Sequence, residues 1–321
     1  MLKIIYFYKY LLIIVLFIIL YIFDYINKIK ELKKIIKNTG SFNINNLIYN
    51  KKKNNKNCLL SPENSDKKII HIIITNFMIE FYKSDGFIKK IYTNEYIKNG
   101  IRVIKKYLFP SLQYQSCQDF IWMLKIGNKA NLSYINSLLN FERSFEIVII
   151  YNKDYKNYIR NITKNFEILI TTRIDYDDRI YWNAVNDVRK AINISKPILL
   201  YGYNRGFYYY EKYDIYTEFF RDYKNEGTMS IFQSLIIIKN KVNDSYTIYD
   251  IGGHSKARKN LLKNYKKFGL EKLDYEPAII EVDVPKFVWV RQHYSGTIRF
   301  YKKPKTKAVY FDLNKFYGIK T

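Results

Sequence analysis

Cysteine is nearly absent from this chain. Two occur in 321 residues, Cys58 and Cys117. They form no C-x-x-C pair, so a zinc framework is excluded. The two thiols leave a disulfide open, and nothing in the sequence requires an oxidising compartment. Histidine is scarce too, with three residues in all. No Arg-rich stripe is present, and no dense basic tract beyond Lys51, Lys52 and Lys53. No segment repeats. The apolar run near the N-terminus is unbroken only over residues 10–23.

Charge and aromatics are abundant instead. The formal net charge is +25, which suggests polyanionic partners: nucleic acid, an anionic membrane surface or phosphate-bearing substrates. The lysines are spread over nearly every segment, so this basicity does not mark a nucleic-acid groove. The 33 Tyr and 21 Phe sit in stretches dominated by Lys, Asn, Ile and Tyr, such as residues 48–57. A coding bias toward AT-rich codons explains that texture without any function. Apolar residues make up 48% of the chain, enough for a sizeable core. Beyond the first 60 or so residues, about 260 remain for one large α/β domain or two small ones. Sequons stand at Asn131, Asn161, Asn193 and Asn243, a number that chance supplies in an Asn-rich chain.

Residues 4–23 are apolar apart from Lys9. A spanning helix needs about 20 residues, and this stretch suffices if Lys9 snorkels to the interface. No small-residue cleavage site follows, since Asp24, Tyr25, Ile26 and Asn27 come next. The expectation is an uncleaved single-pass membrane anchor over residues 1–27, then a polar stem over 28–67. Lys28, Lys30, Lys33, Lys34 and Lys37 follow the apolar run, against Lys3 before it. The positive-inside rule would keep the body in the cytoplasm, and the side of the membrane stays open.

The folded body is expected over residues 68–321. Residues 69–77, 119–126, 145–151 and 166–175 read as strands. Residues 96–107, stopping before Pro110, and residues 131–139 and 180–192 have helical spacing. Strands alternating with helices imply a mostly parallel sheet with crossover helices over residues 68–195. Residues 196–321 are more irregular. Segments 197–203 and 206–210 read as a hairpin, and 229–238, 246–251 and 285–292 as further strands.

The chemistry concentrates in residues 171–178, TTRIDYDD. They follow an apolar strand, so Asp175, Asp177 and Asp178 fall at its carboxyl end, where open α/β sheets bind ligands. Three clustered carboxylates repel one another, and a divalent cation relieves that repulsion. Hard oxygens suit Mg²⁺ or Mn²⁺, which also bridge a diphosphate and stabilise a nucleoside diphosphate leaving group. Arg173 adds a fixed positive charge for the same phosphates. The plain alternative is that Asp177 or Asp178 only caps the following helix.

The order of these motifs resembles the rhamnosyltransferase family, a group similar to GT-A glycosyltransferases. Residues 71–77, HIIITNF, resemble its opening strand, with Thr75 and Asn76 where the family usually carries an Arg. LFPSLQYQ at residues 108–115, followed by Asp119, Phe120, Ile121 and Trp122, resembles its Pro-Ser-Leu, Gln and Phe-x-Trp signature. TTRIDYDD resembles its Thr-Arg-Leu-Asp-x-Asp-Asp core. Residues 199–208, 230–235, His254 and 288–293 resemble its later elements.

The resemblance implies an α/β, GT-A-like fold and metal-dependent transfer of a sugar from a nucleotide-diphosphosugar to a glycan, protein or lipid acceptor. Rhamnose enters only through the family's name. It implies donor contacts from Thr75, Asn76, Phe77, Gln115, Thr172, Arg173 and Asp175. It implies metal ligation by Asp177 and Asp178, completed by His293 or His254. An inverting reaction needs a base, and Asp222, Glu226 and Asp250 lie on the acceptor-side half. Tyr201, Tyr203 and residues 208–210 could form an aromatic platform.

Two other readings compete. One is a membrane-tethered nucleotide-sugar or glycan-binding module without turnover, suggested by the altered opening strand. The other is a basic nucleic-acid-binding protein or metal nuclease, which a membrane anchor disfavours.

Overall fold

The computed structural model describes residue 58 and residues 66–79, 91–140, 143–220, 232–242, 246–253, 256–281, 285–291 and 309–318. All of these belong to one unit, Asn54–Thr321. The expected anchor (1–27) and nearly all of the expected stem lie outside the described residues. Among the described residues, no helix is long and apolar enough to cross a membrane.

The opening run IIHIIITNF forms strand β1, Ile69–Phe77, with almost every residue buried. Burial on both faces is what a continuous β-branched run requires, and a central place in a parallel sheet supplies it. β2 (Ile121–Ile126) and then β3 (Glu146–Tyr151) are added on one side. β4 (Ile168–Arg173) is added on the other, and both neighbours pair with β1 in parallel. Beyond β4 lie β9 (Gln233–Ile238), β6 (Ile198–Tyr203) and β10 (Ala278–Glu281). The order is β10-β6-β9-β4-β1-β2-β3. β9 alone opposes the rest, because it pairs antiparallel with both β4 and β6 while β10 runs parallel to β6. The mostly parallel α/β sheet expected from the alternating pattern is therefore present.

Helices cover both faces. On one, α1 (Asn94–Lys106) presents Ile97, Ile101 and Ile104 at helical spacing, capped by Thr93, whose hydroxyl accepts the Tyr96 N–H. α2 (Leu108–Gln113), α3 (Leu132–Leu138) and a later helix, α5 (Ala184–Lys190), pack on the same face through Leu112, Ile135, Val185 and Val188. Ile73, Phe77, Trp122, Leu124 and Ile170 meet them from the sheet. The opposite face carries Ile72, Ile74, Met123, Leu169 and Leu235. α4 (Tyr155–Ile162) and α6 (Ala257–Asn264) cover it with Ile159 and Leu261. Each such aliphatic side chain removed from water contributes about 1.5–3 kcal/mol.

Four further strands form a second sheet. In spatial order it comprises β5 (Arg179–Ile180), β11 (Phe287–Arg291), β7 (Arg205–Tyr210) and β8 (Ile215–Phe220). It overturns the expected hairpin. β6 and β7 are separated only by buried Asn204, yet they enter different sheets. β6 is held between β9 and β10, and β7 between β8 and β11. Gly206 permits the second arrangement, since a Cβ there would lie 2.6 Å from the Phe287 ring.

Three local expectations also change. The strand expected at 246–251 is a 3-10 turn, Ile248–Ile251. Its cause is a capping box: the Asp250 carboxylate accepts both the N–H and the hydroxyl of Thr247. The helix expected over 96–107 does stop before Pro110, at Lys106, but an unexpected second helix follows at once, with Pro110 in the first turn of α2, where no amide donor is needed. Ile180, expected to open a helix over 180–192, pairs instead with Phe287 of β11, and the helix begins at Ala184. Finally, Cys58 and Cys117 are joined in a disulfide.

Candidate functional site

The strand order places a topological switch point between β1 and β4. From β1 the chain builds outward to β2 and β3, then returns across to β4 on the other side. Connections leaving neighbouring strands in opposite directions open a crevice at their carboxyl ends, where such sheets bind ligands. The residues at that crevice are Asn76 from β1, and Arg173 with the acidic turn from β4.

The turn is compact. Asp178 donates its backbone N–H to the Asp175 carbonyl at 3.2 Å, and Ile174 N–H reaches the Ile74 carbonyl at 3.3 Å. Asp175 and Asp177 are partly exposed. Arg173 Nε lies 4.0 Å from Asp175 Oδ1, and its Nη1 donates to the Gly252 carbonyl at 3.3 Å. Its guanidinium stands 4.9 Å from the Tyr249 ring centroid. Asp178 behaves differently. It is fully buried, and its Oδ1 accepts the backbone N–H of Val290 on β11 at 3.2 Å. Tyr176 packs edge-on against Phe77, with centroids 5.5 Å apart. Burial, and then the neighbouring Asp177 charge, hold the Tyr176 hydroxyl well above its ordinary pKa.

Other expected donor residues are engaged inside the protein. Thr75 is buried and accepts the Trp122 indole N–H at 3.1 Å. Phe77 fills space against Gly100, where a Cβ would lie 2.4 Å from its ring. Thr172 lies 2.6 Å from both His71 Nε2 and Ser234 Oγ in a buried chain of polar contacts. Burial keeps His71 neutral, with its pKa well below the usual value. The Gln115 amide donates to the Ser111 and Tyr181 carbonyls, each at 2.8 Å, and accepts from Val185 N–H at 3.0 Å. It ties α2 to α5. Asn76 does belong to the crevice. It is 9% exposed, and its Oδ1 has no hydrogen-bond partner among the described residues.

Of the candidate bases, Asp250 is committed to the Thr247 cap and to an ion pair with Lys156. Asp222 and Glu226 lie outside the described residues, as do His254 and His293. Tyr201 and Tyr203 are not a platform: both are core residues, 1% and 0% exposed. Tyr208, Tyr209 and Tyr210 lie on β7 of the smaller sheet.

Among the described residues, no three His, Cys, Asp or Glu side chains converge on a metal position. In donor chemistry, Asp175 and Asp177 still fit a hard cation, being carboxylates at the partly exposed edge of the crevice. Asp178 fits less well, since one of its oxygens serves Val290.

Lys125 also stands at this corner, although no motif marks it. This penultimate residue of β2 stands beside Asn76 in the β1–β2 register. It is 5% exposed, with its ammonium 4.2 Å from the ring centroids of both Tyr155 and Tyr249. Burial first, and then the Arg173 charge, push its pKa down to about 8. The available signal was one charged residue inside the apolar run IWMLKI.

No protein-family model matches the chain, and neither does any curated protein. The rhamnosyltransferase likeness is therefore one of motifs alone. Among solved structures, the inositol-1-phosphate CTP transferase of T. maritima is similar at a TM-score of 0.33 and 10% identity, over 69% of this chain and 89% of that one. HddC from Yersinia pseudotuberculosis is similar at 0.31 and 11%, over 68% of this chain and 92% of that one. Neither likeness bears on ligands or activity.

Proposed function

We propose that this chain is a metal-dependent glycosyltransferase that uses a nucleotide-diphosphosugar donor. The observation that carries this reading is the placement of Arg173, Asp175 and Asp177 at the carboxyl end of β4, beside the end of β1, at the switch point of the sheet. A cation held by Asp175 and Asp177 would supply electrostatic stabilisation to the diphosphate that leaves with the broken sugar–phosphate bond. The chain's own contribution is positioning. Arg173, fixed by Gly252 and Tyr249, presents a cation to the phosphates. Asn76 offers an unpaired polar edge to a donor hydroxyl. Asp178 holds the turn in register with β11.

The test is donor hydrolysis in Mn²⁺ or Mg²⁺ by the full chain and by Asp177→Asn. Loss in the variant, with the melting temperature unchanged, supports the reading; undiminished activity rejects it.

A binding module without turnover is the second reading, favoured by the commitment of Asp250 to Lys156 and Thr247. It gains support if nucleoside diphosphates stabilise the protein while no nucleotide sugar is consumed. Saturation at a hundred times the dissociation constant adds about 2.7 kcal/mol of stability, enough for a thermal screen to see. The acceptor of the first reading is a glycan, protein or lipid, and its membrane setting rests on residues 1–27.

A further inference from the structure

Side chains alternate along a strand, so Asn76, Lys125 and Arg173 all face the side that Ile74, Met123 and Leu169 line farther in. They stand at the carboxyl ends of three adjacent parallel strands. This corner is unusual in its charge. Lys125 and Arg173 share one ring, with Tyr249 4.2 Å from the ammonium and 4.9 Å from the guanidinium carbon. The cations Lys125, Arg173 and Lys156 meet two carboxylates, Asp175 and Asp250. Asp250 is paired with Lys156. Asp175 stands 4.0 Å from Arg173, whose buried Nε has no hydrogen-bond partner among the described residues. Lys125 makes no salt bridge among the described residues.

An enclosed ammonium whose nearest carboxylate, Asp250, is already paired with Lys156 costs stability. Contact with two tyrosine faces offsets only part of that cost, and a second cation nearby adds to it. Structural ion pairing does not account for such an arrangement, whereas an anionic ligand completes it. Asn76 supplies an independent sign of a ligand, since its buried Oδ1 lacks a partner at the same edge. Its amide orientation is interchangeable, so it suits either a ligand hydroxyl or a phosphate oxygen.

We propose that Lys125 and Arg173, seated on Tyr249 and flanked by Asn76, form a subsite for the diphosphate of the nucleotide donor. This deepens the proposed function and rests on its placement of the donor at the β1–β4 crevice. The acidic turn would hold the cation on one side of the diphosphate, and the Lys125–Arg173 pair would neutralise the other. Direct charge pairing with phosphate needs no metal, which separates this subsite from Asp175 and Asp177.

The experiment measures binding of inorganic pyrophosphate and UDP to the full chain in EDTA, by calorimetry, at two salt concentrations. Lys125→Met preserves side-chain length, and Lys272→Met removes an equal charge from an exposed site whose side chain is 80% accessible. The expected result is salt-sensitive binding, weakened roughly tenfold to a hundredfold by Lys125→Met and unchanged by Lys272→Met. Lys125→Met should also raise the melting temperature of the ligand-free protein. Equal binding by the Lys125 variant overturns the proposal, as does equal loss in the Lys272 variant. A fall in melting temperature together with lost binding would make Lys125 structural and overturn it too. If Asp177→Asn abolishes nucleotide-sugar consumption while Lys125→Met leaves it intact, the donor reading stands and the subsite falls. If pyrophosphate binding depends on Lys125 but no nucleotide sugar binds with Mn²⁺, the subsite stands and the donor reading falls.

Discussion

Asp178 accepts the backbone N–H of Val290 at 3.2 Å and so joins the acidic turn after β4 to strand β11 of the smaller sheet. Two neighbouring carboxylates of one motif thus do different work. Asp177 stays partly exposed at the crevice, while Asp178 is fully buried.

The pair should separate stability from ligand binding. Asp178→Ala leaves the Val290 amide buried without its acceptor, a loss of about 1–3 kcal/mol. Its melting temperature should fall. Asp177→Asn should melt with the parent protein and lose Mn²⁺-dependent stabilisation by nucleotide sugars. Thermal melts of both variants, with and without ligand, decide this. Equal destabilisation by the two substitutions would remove the distinction.

Lys125 makes a prediction about pH. Its pKa falls to about 8 in the folded protein, from an ordinary 10.5, with burial as the main cause. Between those values the unfolded chain binds more protons, so stability should rise with pH from about 8 toward 10. The groups facing it are Arg173 from β4, Tyr155 and Lys156 from α4, and Tyr249 and Asp250 from the 3-10 turn. The Tyr155 and Tyr249 hydroxyls are raised by burial, so their ionisation in the unfolded chain opposes the gain near and above pH 10. Urea midpoints across this window should climb for the parent protein and flatten for Lys125→Met. A parallel climb in the variant would assign the slope to another group.

The disulfide bears on the compartment of the folded body, which sequence left open. Cys58 and Cys117 are separated by 59 positions, and closing a loop of that length is worth about 4 kcal/mol in the chain-entropy account. Disulfides persist in oxidising compartments. Protein taken from its native cells and denatured without reductant should therefore resist alkylation, then accept two labels after reduction. Labelling of both thiols before reduction would place the body in a reducing compartment, as the positive-inside rule suggested. Cys117→Ser should lower the unfolding midpoint.

Sequence made the first half of the fold legible, because each element there carries its own periodicity. The β-branched run of β1 and the Ile97, Ile101, Ile104 stripe of α1 identify themselves locally. Tyr and Ile abundance blurred the second half. Residues 197–210 show two strand-like runs, yet only partners distant in sequence send one to each sheet. Residues 246–251 have strand composition, and the Thr247–Asp250 capping box overrides it. The acidic turn was legible from its position after an apolar strand. Lys125 was not, since its meaning depends on tyrosines from α4 and the 3-10 turn that meet only in the folded chain.

Gln115 tests how far motif likeness transfers function. The likeness assigned it to the donor, yet its amide satisfies three main-chain groups: the Ser111 and Tyr181 carbonyls and the Val185 N–H. Two of those partners lie 66 and 70 positions away, so the side chain fastens α2 to the start of α5. Gln115→Ala strips all three at once. Each buried group left unpaired costs about 1–3 kcal/mol, so the variant should lose several kcal/mol of stability. Gln115→Glu keeps the acceptor but buries a carboxylate against the Ser111 and Tyr181 carbonyls, so it should be destabilised at least as much as the alanine variant. A donor residue behaves otherwise, raising the donor KM at unchanged melting temperature. Melting curves and donor titrations of both variants therefore distinguish the two roles, and a stable Gln115→Ala protein with weakened donor binding would return Gln115 to the site.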